Sequence, residues 1–292
     1  MTAICHPERG DGVAVNAATV LSVKVTVSYP GKGPVLRGCS LEVGAGEVVG
    51  LIGQSGSGKS TLALAILGLL GRHRASVKGS IHFQGTDLLA MREHELRSLR
   101  GRSLSLVLQS PLASLNPALR IRTQLQEAWR AHRSNAATKA DCEDAMQQAL
   151  ASVSLPADPD FLHKRSSQLS VGQAQRVLIA MAVMHRPALL IADEATSALD
   201  VITQSEILQL FARLNRETGM SILYISHDLP SVAGICHRIA ILNEGEIVEC
   251  GPTAQIFTAP LHPYTRRLMA SLPEIPARPE DALAKSHRAA CN

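Results

Sequence analysis

Apolar and polar positions change their period several times along the chain, and each change marks an element. Leu21 to Ser28 alternates and is rich in valine, Leu41 to Val43 continues a short strand after a Gly/Pro turn, and Glu47 to Ile52 is a buried apolar run. Together they predict a β-rich entry. After the glycines between Gly53 and Ser60, the residues from Thr61 to Leu70 place apolar side chains at helical spacing, so that strand, glycine loop and helix follow one another. From about Ala118 to Ser167 the chain reads as helical, most clearly over Gln124 to His132 and Ala140 to Val153, with few β-branched residues. This predicts an inserted helical lobe, bounded at about 112–175. Val177 to Met184 continues helically, Ala188 to Ala192 and Ser221 to Ile225 read as short buried strands, and Gln204 to Glu217 as an amphipathic helix between them. Buried strands alternating with helices imply a largely parallel sheet. Ile239 to Leu242 and Glu246 to Val248 flank Asn243-Glu244-Gly245, a hairpin signal. The first 18 residues lack periodicity and read as a mobile tail. The segment from Gly251 onward has no strand pattern, and beyond about residue 276 it is expected to be flexible.

Composition excludes several classes. With 292 residues, 46% hydrophobic and 18% charged, the chain is long enough for one large α/β domain with additions and is neither disordered nor collagen-like in composition. The longest aliphatic runs, such as Val177 to Met184, are far short of the roughly 20 residues that cross a bilayer. Pro7, Glu8, Arg9 and Asp11 stand where a secretory signal would be apolar, so the chain is expected in the cytoplasm. A net charge of +4 is too mild to argue for nucleic acid. The arginines Arg92, Arg97, Arg100 and Arg102 have no interleaved aromatics and read as a solvated helix face. Cys5, Cys39, Cys142, Cys236, Cys250 and Cys291 lack ligand spacing and are expected as reduced thiols.

Two motifs carry chemistry. Gly53, Gln54, Ser55, Gly56, Ser57, Gly58, Lys59 and Ser60 fit G-x-x-x-x-G-K-[ST] between a buried strand and a helix, with Thr61 following. Backbone N–H groups at the helix start can cradle phosphates, Lys59 can bridge the β and γ groups, and the Ser60 hydroxyl can ligate Mg²⁺. Leu189 to Glu194 then places Asp193 and Glu194 at the end of a buried strand. There an aspartate beside the phosphate loop can hold Mg²⁺ through water, and the following glutamate can reach a water in line with the γ-phosphate.

Gln168-Leu-Ser-Val-Gly-Gln-Ala-Gln-Arg176, some twenty residues before that strand end, completes a combination that resembles the ATP-binding cassette (ABC) ATPases. The family signature is L-S-G-G-Q; Val171 replaces its first glycine, whereas Ser170, Gly172 and Gln173 are retained. The resemblance runs from Val20 to roughly Leu272. It implies an α/β P-loop NTPase fold of ABC type: a mostly parallel sheet core, an N-terminal antiparallel β subdomain and an inserted helical subdomain, with the ATPase domain over 19–255 and a C-terminal extension over 256–292. It further implies that Tyr29 stacks on adenine, that Gln109 touches Mg²⁺ and the attacking water, that Ser197 to Asp200 crosses a dimer interface, and that His227 senses the γ-phosphate. Ala195 stands where the family usually has proline. In the family two cassettes bind two ATP molecules head to tail. Gly53 to Thr61, Gln109, Asp193, Glu194 and His227 would thus act on one ATP, while Ser170, Gly172 and Gln173 complete the site on the partner.

Gln109-Ser-Pro-Leu-Ala-Ser-Leu-Asn-Pro117 and the tail Gly251 to Thr265 with His262-Pro-Tyr-Thr265 look like importers of the dipeptide, oligopeptide and nickel group. That likeness implies a separate integral-membrane permease, a second cassette that is identical or paralogous, an extracytoplasmic solute-binding protein acting indirectly, and a peripheral place on the cytoplasmic face of the membrane. Longer members carry a C-terminal cysteine cluster; here only Cys250 and Cys291 occur there. A cassette serving a soluble complex, as in carbon–phosphorus lyase systems, is the alternative. A DNA-repair ATPase is disfavoured, because no long heptad insertion separates Gly53 from Ser170.

Overall fold

The computed structural model describes residues 19–271 apart from 32, 74 and 133–136. The tail read over 1–18, the segment beyond 276, Cys5 and Cys291 lie outside the described residues. Two sheets are present among the described residues. The first is antiparallel, with strands β1 (Thr19–Ser28), β2 (Pro34–Gly44), β4 (Ser76–Phe83) and β5 (Thr86–Asp87) in the order β2-β1-β4-β5. The second comprises β3 (Val48–Ile52), β6 (Leu104–Val107), β7 (Leu189–Asp193), β8 (Ser221–Ser226), β9 (Arg238–Asn243) and β10 (Glu246–Pro252) in the order β10-β9-β3-β8-β7-β6. All its pairings are parallel except the β9–β10 hairpin. In that hairpin Glu244 and Gly245 both take the left-handed backbone that a tight two-residue turn requires.

The helices are α1 (Lys59–Ile66), α2 (Glu93–Leu99), α3 (Pro111–Ser114), α4 (Ile121–Arg130), α5 (Lys139–Ser152), α6 (Pro159–His163), α7 (Val171–Val183), α8 (Val201–Thr218), α9 (Leu229–Ala233), α10 (Thr253–Thr258) and α11 (Pro263–Ala270). Helices α3 to α7 fall between β6 and β7, as the loss of β-branched residues after Ala118 predicts. Among the described residues no helix is long and apolar enough to cross a membrane.

The core explains why the central strands read as unbroken apolar runs. Successive side chains of a strand point to opposite faces. Val49 and Leu51, Leu189 and Ile191, and Leu223 and Ile225 join the cluster that α1 shares with the antiparallel sheet. Their neighbours Val48 and Ile52, Leu190 and Ala192, and Ile222 and Tyr224 join the cluster covered by α4, α5, α7 and α8. With both faces buried, no polar alternation survives.

The helical lobe is tied to the rest by cations at a helix end. Arg176 of α7 and Arg213 of α8 donate to Val153 O (2.9 Å) and Ser152 O (2.6 Å), two carbonyls at the C-terminus of α5. These are the groups a helix leaves without internal donors.

The extension after β10 is fixed by one carboxylate. Glu249 is 7% exposed and accepts from the backbone N–H groups of Leu261 (2.7 Å) and His262 (3.0 Å), just before α11. Glu249→Ala strands both donors, so we expect a loss of about 2 kcal/mol in denaturant unfolding. Glu249→Gln, which still offers an acceptor, should lose less.

Two expectations are corrected here. Arg100 is not a solvated cation: its guanidinium donates to Leu67 O at 2.7 Å and pairs with Glu93 at 2.6 Å, because the turn after α2 folds back on the end of α1. Cys39 and Cys236 are buried thiols, and burial pushes Cys39 up to about 12. Cys250, by contrast, is disulfide-bonded, since spacing along a chain does not reveal which sulfurs meet in space.

Candidate nucleotide site

Parallel order brings the C-terminal ends of β3, β8, β7 and β6 to one edge of the sheet, and the candidate residues leave from those ends. The loop Gly53 to Gly58 follows β3, Asp193 and Glu194 end β7, His227 follows β8, and Gln109 follows β6. In open α/β sheets this carboxyl edge is where ligands bind.

The loop must pass close to the neighbouring hairpin. A Cβ on Gly53 would lie 2.3 Å from Leu242 O, so no other residue fits. Lys59, only 5% exposed, donates to Gly53 O (2.7 Å) and Gln54 O (3.1 Å), and its ammonium lies 3.8 Å from Glu194 Oε1. Burial lowers the Lys59 pKa, while the charges of Glu194 and Asp193 act the other way. The lysine is held back on the loop, ready to reach an anion.

Glu194 sits in the left-handed region at φ 48°, a conformation that costs a non-glycine residue about 1 kcal/mol. Its N–H donates to Ile225 O at 2.9 Å, and its carbonyl accepts from Ser197 N and Ser197 Oγ. These bonds hold the turn, with buried Ala195 in place of proline. His227 Nδ1 is 3.3 Å from Glu194 Oε1, the same oxygen that faces Lys59. The tautomer that carries its proton on Nδ1 donates to the carboxylate.

Asp193 has a raised pKa, first because it is buried and also because Glu194 is near; the Ser60 hydroxyl and Lys59 oppose the shift. Its Oδ1 is buried without a hydrogen-bond partner. A buried orphan acceptor beside a hydroxyl suits a hard cation with oxygen ligands, so Ser60 and Asp193 fit Mg²⁺. Without a cation the raised pKa costs stability, and the sign follows from linkage. The cost is absent below the ordinary value of 3.8, grows as pH rises, and is complete above the folded-state value. Asp193→Asn should therefore melt about 2 °C above the parent at pH 7 without nucleotide, with no gain near pH 3. Scanning calorimetry at the two pH values checks this.

The remaining residues are placed as follows. Gln109 is exposed beyond β6, on the far side of β7 from the loop. Tyr29 is half-buried after β1, against the apolar cluster. Ser170 N-caps α7 and exchanges bonds with Gln173: Gln173 N–H donates to Ser170 Oγ (3.2 Å) and Ser170 N–H to Gln173 Oε1 (3.1 Å). Val171 opens the helix in right-handed geometry, so the absent glycine is not needed for the backbone there. Asp200 caps α8, accepting from Ile202 N and Thr203 N. The fold thus gathers Gly53 to Thr61, Asp193, Glu194 and His227 at one edge, whereas Ser170, Gly172 and Gln173 begin a helix of the lobe. Sequence reasoning missed Thr196, which bonds the buried Tyr224 hydroxyl at 2.7 Å, and the pair Gln204 and Asp228. Separations of 28 and 24 residues leave no spacing to read.

A phosphate loop, an acidic strand end beside it and a capped helix start on a separate lobe define a P-loop ATPase cassette. Residues 36–197 match the family model for ABC transporter, and residues 248–290 match that for the oligopeptide/dipeptide transporter C-terminal region. The chain is 38% identical over 265 residues to the oligopeptide transport ATP-binding protein OppD of Escherichia coli, covering 90% of this chain and 78% of that protein. It is 42% identical to the dipeptide transport ATP-binding protein DppD of Haemophilus influenzae, covering 80% and 71%. Among solved structures, the dimeric cassette MJ0796 bound to ADP and Pi superposes with a TM-score of 0.70 at 27% identity, covering 80% of this chain and 98% of that one. Likewise cbiO1 from Clostridium perfringens gives 0.72 at 26%, covering 88% and 97%. The chain belongs to the ABC transporter family of ATP-binding cassettes.

Proposed function

We propose that the chain is the ATP-hydrolysing subunit of an ABC importer that takes up dipeptides or oligopeptides through a separate membrane permease. The observation that carries the hydrolytic part is the meeting of Lys59 and His227 on one oxygen of Glu194, at 3.8 and 3.3 Å. The relatives named for oligopeptide and dipeptide transport, and the match of residues 248–290, support the substrate class.

On this reading the loop N–H groups and Lys59 hold the β- and γ-phosphates. Glu194 orients a water and takes its proton as the water oxygen bonds the γ-phosphorus and the bond to the β–γ bridging oxygen breaks. His227 keeps the glutamate side chain in place and reaches the γ-phosphate. Ser60, Asp193 and Gln109 would hold Mg²⁺, which would supply positive charge against the phosphate oxygens. Ser170, Gly172 and Gln173 serve the ATP of a second cassette, identical or paralogous, in head-to-tail pairing. Tyr29 carries the adenine, and Asp200 sets the loop that meets the partner cassette.

The permease would seat beside Gln109. An apolar groove of about 260 Å³ lies there between β6 and the lobe, lined by Leu106, Leu108, Ser114, Leu178 and Met181. Such a groove suits a short amphipathic helix of a membrane partner. This would place the chain peripherally on the cytoplasmic face of the membrane, with an external solute-binding protein engaged through the permease. Extraction from membranes in mild detergent, followed by mass spectrometry of what copurifies, tests the proposal. A permease and a second cassette are expected. Soluble enzyme subunits without a permease would overturn the transport reading and favour a soluble complex.

A further inference from the structure

The first turn of α8 touches both halves of the machinery. At its outer side Thr203 packs against the signature helix so closely that a Cβ on Gly172 would lie 2.7 Å from Thr203 Cγ2. One residue on, Gln204 turns the other way and donates from Nε2 to Asp228 Oδ2 at 3.1 Å.

Asp228 N-caps α9 by position, yet its carboxylate makes no capping bond to that helix. Its N–H donates to Ser226 Oγ at 2.9 Å and its carbonyl accepts from Ser231 Oγ at 2.9 Å, so the backbone on both sides of His227 is pinned locally. Only the carboxylate reaches out, and it reaches α8. Gln204 and Asp228 also line, with Glu194, Thr196, Ser226 and His227, a polar cavity of about 190 Å³.

We infer that Gln204 is a positioning residue for ATP hydrolysis: through Asp228 it sets the turn that aims His227 at Glu194, and through the same helical turn it registers the position of the signature helix. Each cassette's water-activating pair is thereby coupled to the element it offers to its partner's ATP. The inference rests on the hydrolytic reading given above. Coupling of this kind needs a contiguous physical path with a bond that can be broken and remade. Here the path is Gly172, Thr203, Gln204, Asp228, His227 and Glu194.

The bond can be tested by reversing it in the full chain with its copurifying partners, following Mg-ATP hydrolysis, ATP KM and melting temperature. Gln204→Glu sets two carboxylates against each other and should lower kcat about tenfold with ATP KM within about twofold of the parent. Asp228→Asn retains an acceptor and should stay within about threefold. Combining them restores a bond of opposite polarity, from the Asn amide to the Glu carboxylate, and should recover most of the lost kcat. Gln204→Met, similar in length and unable to donate, covers the case in which Gln204→Glu does not fold, and should also lose kcat. A folded Gln204→Met with parental kcat, or a double variant no faster than folded Gln204→Glu, would overturn the inference. Glu194→Gln is run alongside; a parent that hydrolyses no more ATP than this variant would overturn the hydrolytic reading, and this inference with it.

Discussion

Glu194→Gln is expected to bind ATP with near-parental affinity and to lower kcat by about a thousandfold. The carboxylate contributes little to holding nucleotide, since it is anionic like the phosphates and lies 3.8 Å from Lys59 Nζ, farther than the 2.7 Å bond from the same Nζ to Gly53 O. Its loss removes the group that takes the proton of the attacking water, while Lys59 keeps its bonds to Gly53 O and Gln54 O. The amide still accepts from His227, so the turn is kept. Isothermal titration with ATP and a coupled assay of phosphate release separate the two effects. Turnover within about tenfold of the parent would remove Glu194 from the step.

Lys59→Ala is expected to act on the other quantity. The ammonium is buried, and its charge is the one the loop directs at the phosphates. Charge-assisted bonds to phosphate are the strong ones, so ATP affinity should fall by about a hundredfold and hydrolysis at fixed ATP should fall with it. The nucleotide-free protein should not melt lower than the parent by more than a few degrees. Removing a desolvated cation relieves the cost that lowers its pKa, although Glu194 then loses its neighbour. Equal ATP affinity in this variant would contradict the assigned role of the loop.

These two residues were legible because their signals are local. The phosphate loop is a run of eight positions between a buried strand and a helix, and the carboxylate pair ends another such strand. The same holds for the hairpin at Glu244 and Gly245, where the turn residues themselves specify the backbone. Elements whose identity comes from their neighbours were not read. In β4 the residues Ser76 to Gly79 lack an apolar alternation, and only Ile81 and Phe83 of the strand are buried; its pairing to β1 defines it. β6 has four residues and is a strand because it lies beside β7. β2 begins at Pro34, earlier than the short strand around Leu41, because register shifts near Val25 and Val27 carry the pairing through the turn.

The site divides along the same line. Gly53 to Thr61, Asp193 and Glu194, read from motifs, and His227, read from the resemblance alone, lie at one edge of the sheet, whereas the Gln204–Asp228 bond depends on how α8 crosses the end of β8. The signature reads as a helix start, and the reciprocal bonds between Ser170 and Gln173 agree. Val171 is tolerated there because the first position of a helix asks only for right-handed backbone.

The central claim is that hydrolysis at Glu194 drives peptide import, and uptake of a labelled dipeptide by intact cells tests it most directly. Cells carrying the parent chain should accumulate label, and cells in which it is replaced by Glu194→Gln, present in the membrane at equal amount, should accumulate none above a control lacking the chain. Undiminished uptake of dipeptide and of longer peptides in the Glu194→Gln cells would contradict it.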